Sequence, residues 1–365
     1  MYYICLMGNT IGKIFKLTTF GESHGLAVGG VIDGCPSGIK IDINQVQDLL
    51  NKRKPGQSNL TSCRKESDSV SFLSGIFDGK STGAPIAFLI LNQDQRSKDY
   101  EHLKNIFRPS HADFTYHKKY GVRDYKGGGR SSARETANWV VAGAIAIQIL
   151  QRIGINIKAY VSSVGDIKLK KKYLDLDLSL VYSNIVRCPD INCAKKMILE
   201  IEKVKNKGDT IGGEITVIAT GVPVGIGEPI FDKLHSDIAK AMLTINAVHG
   251  FKYGFEKTNI SSSKGSQVND FLIGNNGKTK TNYSGGIQGG ISNGNDIFCE
   301  VMFKPVSSIM QNQNTIDFKG KRVGFKVKGR HDPCVVPRAV PIVESMLALT
   351  LIDHYLRSLS INIEQ

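Results

Sequence analysis

Short runs at residues 13–19, 27–33, 84–91, 156–164, 213–220 and 298–303 carry the alternating, β-branched and aromatic positions of buried or half-buried strands. Longer segments at 44–51, 133–153, 193–207, 231–248 and 338–359 repeat their apolar residues at helical spacing. Ser131 or Ser132 is placed to cap the second of these helices. Glu135 then falls in its first turn, where the helix dipole favours a carboxylate. Groups of strands alternate irregularly with long helices. That order predicts α+β layers rather than a doubly wound parallel sheet.

A chain of 365 residues with 41% hydrophobic positions is long enough for a large core in one big domain or two. Its longest apolar stretch, 139–150, is too short to span a bilayer. Residues 1–6 are apolar but lack a basic n-region and a cleavage site, so they do not read as a signal peptide. The seven cysteines are scattered, and no histidine follows the closest pair, Cys188 and Cys193, at zinc-ligand spacing. Structural thiols in a reducing cytosol are expected, and no metal site.

The net charge of +14 changes the picture. Lysines dominate it and lie in short polar runs such as 168–172, which read as solvated surface. The arginines are more telling. Arg53, Arg64, Arg108, Arg123, Arg130, Arg134 and Arg330 sit in or near glycine-, proline- or serine-rich segments, and arginine offers a planar fork for carboxylate and phosphate. Their distribution favours a small polyanionic ligand over a long nucleic-acid track. Two glycine-rich segments mislead at first sight. GIFDGKS at 75–81 is one residue short of a P-loop and reads as a turn, and GGIQGG at 285–290 lacks the dinucleotide-binding spacing.

Three other strings put chemistry beside small residues: GESHG at 21–25, GGGRSSARETA at 127–137 and GRHDPC at 329–334. His24, in a tight segment after a strand, can face a pocket and titrate near neutrality. His111, in RPSHAD at 108–113, reads without further context as a partly buried loop histidine. Asp332 beside Arg330 reads as an ion pair with a depressed pKa. Arg130, Ser131 and Ser132 open a helix N-terminus, a natural anion site. His117 reads as structural, His102, His235 and His354 carry no signal, and His331 is left out of the catalytic set.

In this order and at this spacing, the three strings resemble the chorismate synthase family, from about Met7 to beyond Pro337. The resemblance implies a single large β-α-β sandwich domain over residues 7–360, with two pseudo-related halves. Residues 1–6 would be an extension ahead of a start at Met7, and the assembly a homotetramer in the cytoplasm. The implied reaction is the trans-1,4 elimination of phosphate from 5-enolpyruvylshikimate 3-phosphate. It uses reduced FMN without net redox change, with NADPH as a candidate reductant. His24 would protonate the departing phosphate with Ser23 as its hydrogen-bonding neighbour. His111 would donate to the reduced flavin, Asp332 would help the flavin take the ring proton, and Ser132 would lie close to flavin and substrate. His249, closing INAVHG, would stand near the flavin without acting on it.

Motif by motif, the flavin would be held by Arg130, Ser131 and Ser132, by Asn246 and Ala247 of INAVHG, and by Gly289 of GGIS. Lys304, Pro305, Val306, Ser307 and Ser308 of KPVSS and Arg330 complete that set. Arg53, Arg108 and Arg134 would meet the anionic substrate or NADP. One departure stands out: in KRKPGQSN at 52–59, Asn59 occupies a position where the family usually has arginine, with Arg64 or Lys65 as possible substitutes. Two rival classes are a basic nucleic-acid-binding protein and an NADPH-dependent flavin reductase. No zinc knuckle, aromatic RNA-binding string or helix-turn-helix supports the first, and the missing Rossmann fingerprint disfavours the second.

Overall fold

The computed structural model describes residues 8–359 except 59, 62–65, 95–96, 256–258, 276 and 327–331. Asn59, Arg64, Lys65, Arg330 and His331, like residues 1–6, lie outside the described set. Two antiparallel five-stranded sheets enclose a layer of helices. The first has the order Thr10–Ile11, Lys16–Gly21, Ala27–Asp33, Ile86–Leu91, Val70–Phe72. The second runs Val248–Tyr253, Ile297–Phe303, Gly213–Thr220, Asn156–Val164, Ile167–Lys168. One sheet belongs to each half of the chain. This is the expected α+β sandwich.

Register follows the apolar pattern. Leu17 pairs with Ile32 and Ile32 with Ile86, and all three are buried. Because side chains alternate across a strand, this pairing puts one whole apolar set on the inner face. Helix α1 (Ile43–Arg53) is started by Asp42, whose carboxylate accepts from Asn44 N at 2.9 Å, and it buries Val46 and Leu50. Helix α2 (Asp113–Tyr120) is short and lies beside the site. Helix α3 (Thr136–Arg152) packs on α1 and on the first sheet. Helix α4 (Ile191–Asn206) is amphipathic and packs on the 156–164 and 167–168 strands. Helix α5 (Leu234–Thr244) and helix α6 (Val336–Ser358) follow, with a single helical turn at Gly265–Val268 between them.

Helix α6 is apolar over a length that would cross a membrane, longer than the 139–150 stretch, but it is almost wholly buried in the protein. It packs on α3 and on the 156–164 and 213–220 strands. The two helices approach closely because Gly143 faces Ser345: a Cβ on Gly143 would lie 2.2 Å from the Ser345 Cβ. At its far end Asp353 accepts from the backbone N–H groups of Lys13, Ile14 and Phe15 at 2.8, 2.7 and 3.0 Å. A buried carboxylate with three donors ties the end of the chain to its first strands.

The helix expected over 231–248 divides. Helix α5 stops at Thr244, Ile245 is extended, Ala247 has φ +69°, and a strand begins at Val248. The apolar spacing continues through INAV, but the backbone turns there. GIFDGKS forms a two-stranded hairpin with positive φ at Asp78 and Gly79, as tight hairpin turns require. GGIQGG forms another, Ile287–Gln288 against Ile291–Ser292.

Candidate active site

The strand Lys16–Gly21 ends in GESHG, and Gly25 N closes a turn onto Glu22 O at 3.1 Å. Asn92, just past the end of the Ile86–Leu91 strand, pins this turn by donating to Glu22 O at 3.0 Å and Gly25 O at 2.9 Å. Ser23 N donates to Gly129 O at 3.3 Å, and Ser23 Oγ lies 3.2 Å from His24 Nδ1. The imidazole meets the Tyr100 ring edge-on, with centroids 5.0 Å apart. Against its other side runs the glycine triplet. A Cβ on Gly127 would lie 2.0 Å from His24 Cε1, and one on Gly128 would lie 3.4 Å from His111 Cε1. The triplet therefore passes between the two candidate histidines, and glycine is what lets it do so.

His111 sits in a knot of charge. Its Nδ1 is 2.9 Å from Asp113 Oδ1. Arg108 grips the same carboxylate with two arms at 2.7 and 2.9 Å, and Arg123 Nη1 stands at 3.2 Å. Burial alone would push the Asp113 carboxyl upward, but Arg108 and His111 hold it far below the usual carboxylate range. Arg108 is thereby buried and committed to Asp113. Arg123 also donates to Leu103 O and Lys104 O, both at 2.9 Å, so it braces the loop. His117 stacks on Phe318 at 4.6 Å and serves as packing.

A cleft of about 380 Å³ opens between these segments, lined among others by Glu22, His24, Tyr116, Asp124, Lys126 and Arg130. Arg130 is heavily engaged: it pairs with Glu135 at 2.6 Å and donates to Asn9 Oδ1 at 3.1 Å and Thr19 O at 2.8 Å. Ser131 Oγ donates to Gly128 O at 2.8 Å. Ser132 Oγ accepts from Arg134 N at 3.3 Å, capping the one-turn 3-10 helix Ala133–Glu135 that leads into α3.

Behind this loop, Asp68 is fully buried between two guanidiniums. Arg53 Nη2 is 3.0 Å away and Arg134 Nη1 reaches the other oxygen. Burial raises the Asp68 carboxyl, and the two arginines pull it down by more. Arg134 Nε also donates to Asn92 Oδ1 at 2.8 Å. Burial pushes Arg53 down to about 10, and its Nε has no acceptor among the described residues. Arg338 pairs with Asp332 and donates to Arg53 O at 3.2 Å. Asp332 is thus joined to the serine loop through two arginines.

The second half of the chain supplies the remaining wall. Asn246 Nδ2 donates to Ser131 O at 3.1 Å, while its buried Oδ1 has no partner among the described residues. Ala247, at positive φ, accepts from Lys304 N at 2.9 Å, and Lys304 Nζ donates to Ser110 O at 3.3 Å beside His111. Val306 O accepts from Thr210 Oγ1 at 2.7 Å, and Ser308 is buried. Ser23, His24, His111, Ser131, Ser132, Asn246, Ala247 and Lys304 are therefore drawn together. The hairpin that carries Gly289 packs, through Gly290, near Glu228 and Lys233. Asp68, Asn92 and Asp113 were given no role from sequence, and Arg123, read among the anion-binding arginines, instead braces Asp113 and the loop at 103–106. For Asp113 a signal existed, two residues after His111 in RPSHAD. Asp68 and Asn92 sit in no motif.

The first half of the chain lines the cleft with His24, Arg123, Arg130 and Ser131, and Asn246 and Lys304 of the second half reach Ser131 and Ser110 beside it, an arrangement that defines an enzyme of the α+β sandwich class. The model of the family "Chorismate synthase" matches residues 15–356. Curated chorismate synthases are similar along nearly their whole length. That of Christiangramia forsetii is 59% identical over 355 residues, covering 97% of this chain and 99% of its own. That of Phocaeicola vulgatus is 58% identical over 354 residues, covering 96% and 98%. A crystal structure of chorismate synthase superposes with a TM-score of 0.76 at 28% identity, covering 95% of this chain and 93% of that one. The chain belongs to the chorismate synthase family. It is a lyase of the shikimate pathway that forms chorismate from 5-enolpyruvylshikimate 3-phosphate with release of phosphate, and its family implies a flavin cofactor.

Proposed function

We propose that catalysis takes place where the glycine triplet 127–129 separates His24 from His111, with reduced FMN as the flavin. The observation that carries this reading is the placement of two titratable imidazoles on either side of one glycine loop. When bound, reduced FMN supplies electron density to the substrate and accepts the ring hydrogen, so no net oxidation follows. Every other task falls to the chain. His24, steadied by Ser23 and Tyr100, gives its proton to the departing phosphate. His111, fixed from behind by Asp113, donates to the flavin. Asp332, held by Arg338, takes part in moving the ring proton, and Ser132 lies against flavin and substrate.

The residues fit a flavin. Asn246 Oδ1 is a buried acceptor with no donor of its own, and Lys304 places an ammonium beside Ser110. Together with Ala247, Pro305, Val306, Ser307, Ser308, Ser131 and Arg330, they would hold it. Gly289 of GGIS would join them. Arg130 has most of its donors committed, so it shapes the wall and contributes field more than free hydrogen bonds. Arg53, Arg108 and Arg134 hold Asp68 and Asp113 and lend positive potential to a substrate with one phosphate and two carboxylates. Among the described residues Arg53 Nε has no acceptor, which leaves it as a donor for a ligand.

The same reading takes the chain as one cytoplasmic domain over residues 7–360, active as a homotetramer and independent of nucleic acid and membrane. NADPH is the reductant it admits, by intrinsic activity or an external source. The deciding experiment is an anaerobic assay with chemically reduced FMN and 5-enolpyruvylshikimate 3-phosphate, with and without added NADPH, following phosphate release and NADPH absorbance. Turnover without net NADPH consumption supports the reading. Stoichiometric NADPH oxidation with no chorismate would replace it with a flavin reductase.

A further inference from the structure

A second cleft, also about 380 Å³, opens where the C-terminal end of α1 meets the 182–187 segment and the first turn of α6. Lys52, Arg187 and Arg338 line it, with Gln57, Ser58 and Tyr182, and among the described residues its lining contains no carboxylate. The first cleft, by contrast, includes Glu22, Asp113 and Asp124. Three cations sharing one concave space repel one another unless an anion or water lies between them.

Their arrangement is held firmly. Lys52 Nζ lies 4.3 Å and the Arg187 guanidinium 5.2 Å from the centre of the Tyr182 ring. Arg187 also donates to Pro337 O at 2.5 Å, to Gln57 Oε1 at 2.6 Å and to Lys52 O, so it ties the three walls together. Its backbone has φ +61°, a strained conformation of the kind that clusters at ligand sites. Asn184 clamps that turn, donating to Cys188 O at 2.8 Å. Glu344, behind Tyr182, accepts the phenol hydrogen at 3.2 Å, and burial pushes its carboxyl upward, which weakens it as a counter-charge. Lys52 has no ion-pair partner among the described residues. Arg338 uses two nitrogens on Asp332 and Arg53 O, and its Nη2 has no acceptor among them.

We propose that this cleft is a second anion site, taking a compact oxyanion, a phosphate or a carboxylate, between Lys52, Arg187 and Arg338. Its volume falls in the small-molecule range, and its donors are charge-assisted. The ligand takes Nη2 of the same Arg338 guanidinium whose Nη1 holds Asp332, so its occupancy reaches a residue of the reaction site. That consequence rests on the proposed role of Asp332; binding itself does not.

The test is calorimetric titration of the full-length protein with inorganic phosphate and, separately, with acetate. Lys52→Met should weaken one binding site by about tenfold or more, the usual weight of a charge-assisted contact. Lys52→Arg should keep that site, and the unfolding midpoint should stay put in both variants. Lys126→Met, in the first cleft, should leave the same site intact. Binding of phosphate but not acetate would assign a phosphorylated ligand, and the reverse a carboxylate. Wild-type binding in Lys52→Met, loss confined to Lys126→Met, or no binding of either ion would overturn the proposal. Failure of the catalytic reading would show instead in the anaerobic assay, with these isotherms unaffected.

Discussion

Gly127 lies so close to His24 that a Cβ there would stand 2.0 Å from Cε1 and 2.1 Å from Nδ1 of the imidazole. No real Cβ contact is that short, so either the loop or the ring must move. The backbone at Gly127 also has φ +71°, which costs a side chain about 1–2 kcal/mol. Gly127→Ala should therefore lose phosphate release by about tenfold or more, since small displacements of a catalytic group are expensive. Gly121 provides the control: its φ is also +71°, but nothing lies within 4 Å of its would-be Cβ. Gly121→Ala should cost stability alone. Equal turnover in the two variants would break the link between the triplet and His24.

His24→Ala should keep the fold and flavin binding, because the ring makes few contacts that the loop needs. Phosphate release in the anaerobic assay should fall by about a hundredfold or more, the weight of a general acid. Turnover near that of the unmodified protein would remove His24 from the mechanism.

Much of this was legible beforehand, for physical reasons. Strong alternation placed the central strands of both sheets, and helical spacing placed α1, α3, α4 and α6. INAVHG failed as helix because apolar spacing says nothing of the positive φ at Ala247. The strand Val70–Phe72 was missed because three residues carry too little pattern. At the site, flanking glycines and serines drew attention to His24, Arg130, Ser131 and Ser132, while the roles given to His111 and Asp332 came from the family resemblance. Asp68 and Asn92 were not, since their importance comes from partners distant in sequence: Arg134 is 66 residues from the first and 42 from the second. A sequence shows a charged residue but not which opposite charge it will meet.

Asp113 offers a test through pH. Its carboxyl is held well below the usual range in the folded protein by Arg108 and His111, against the effect of burial. A depressed folded pKa gives stability that is fully present above the unfolded value of about 3.9. That stability is lost as pH falls below it toward the folded value. Asp113→Asn should be destabilised at pH 7 by about 3–5 kcal/mol, since it leaves two buried guanidiniums without their anion. The gap between variant and wild type should shrink on acidification from pH 5 to pH 2.5. Urea unfolding at several pH values measures it, and a gap that stays constant or widens would mean that Asp113 is not the group titrating.

Ser132 can be a cap, a catalytic contact, or both, and the structure sharpens the choice. Its Oγ accepts from Arg134 N at 3.3 Å, a long bond onto a single 3-10 turn. A strong N-cap costs about 0.5–2 kcal/mol when removed, and a bond of that length belongs at the lower end. Asn246 meanwhile fixes the neighbouring Ser131 carbonyl at 3.1 Å, so the loop keeps its path without the Ser132 hydroxyl. Ser132→Ala should then unfold at nearly the wild-type midpoint while single-turnover phosphate release drops by at least about tenfold, as loss of a hydrogen bond to a charged group would give. Thermal denaturation and rapid-quench kinetics on the same preparation decide it. A clear stability loss with unchanged turnover would make the hydroxyl a cap alone and move the substrate contact elsewhere in the loop.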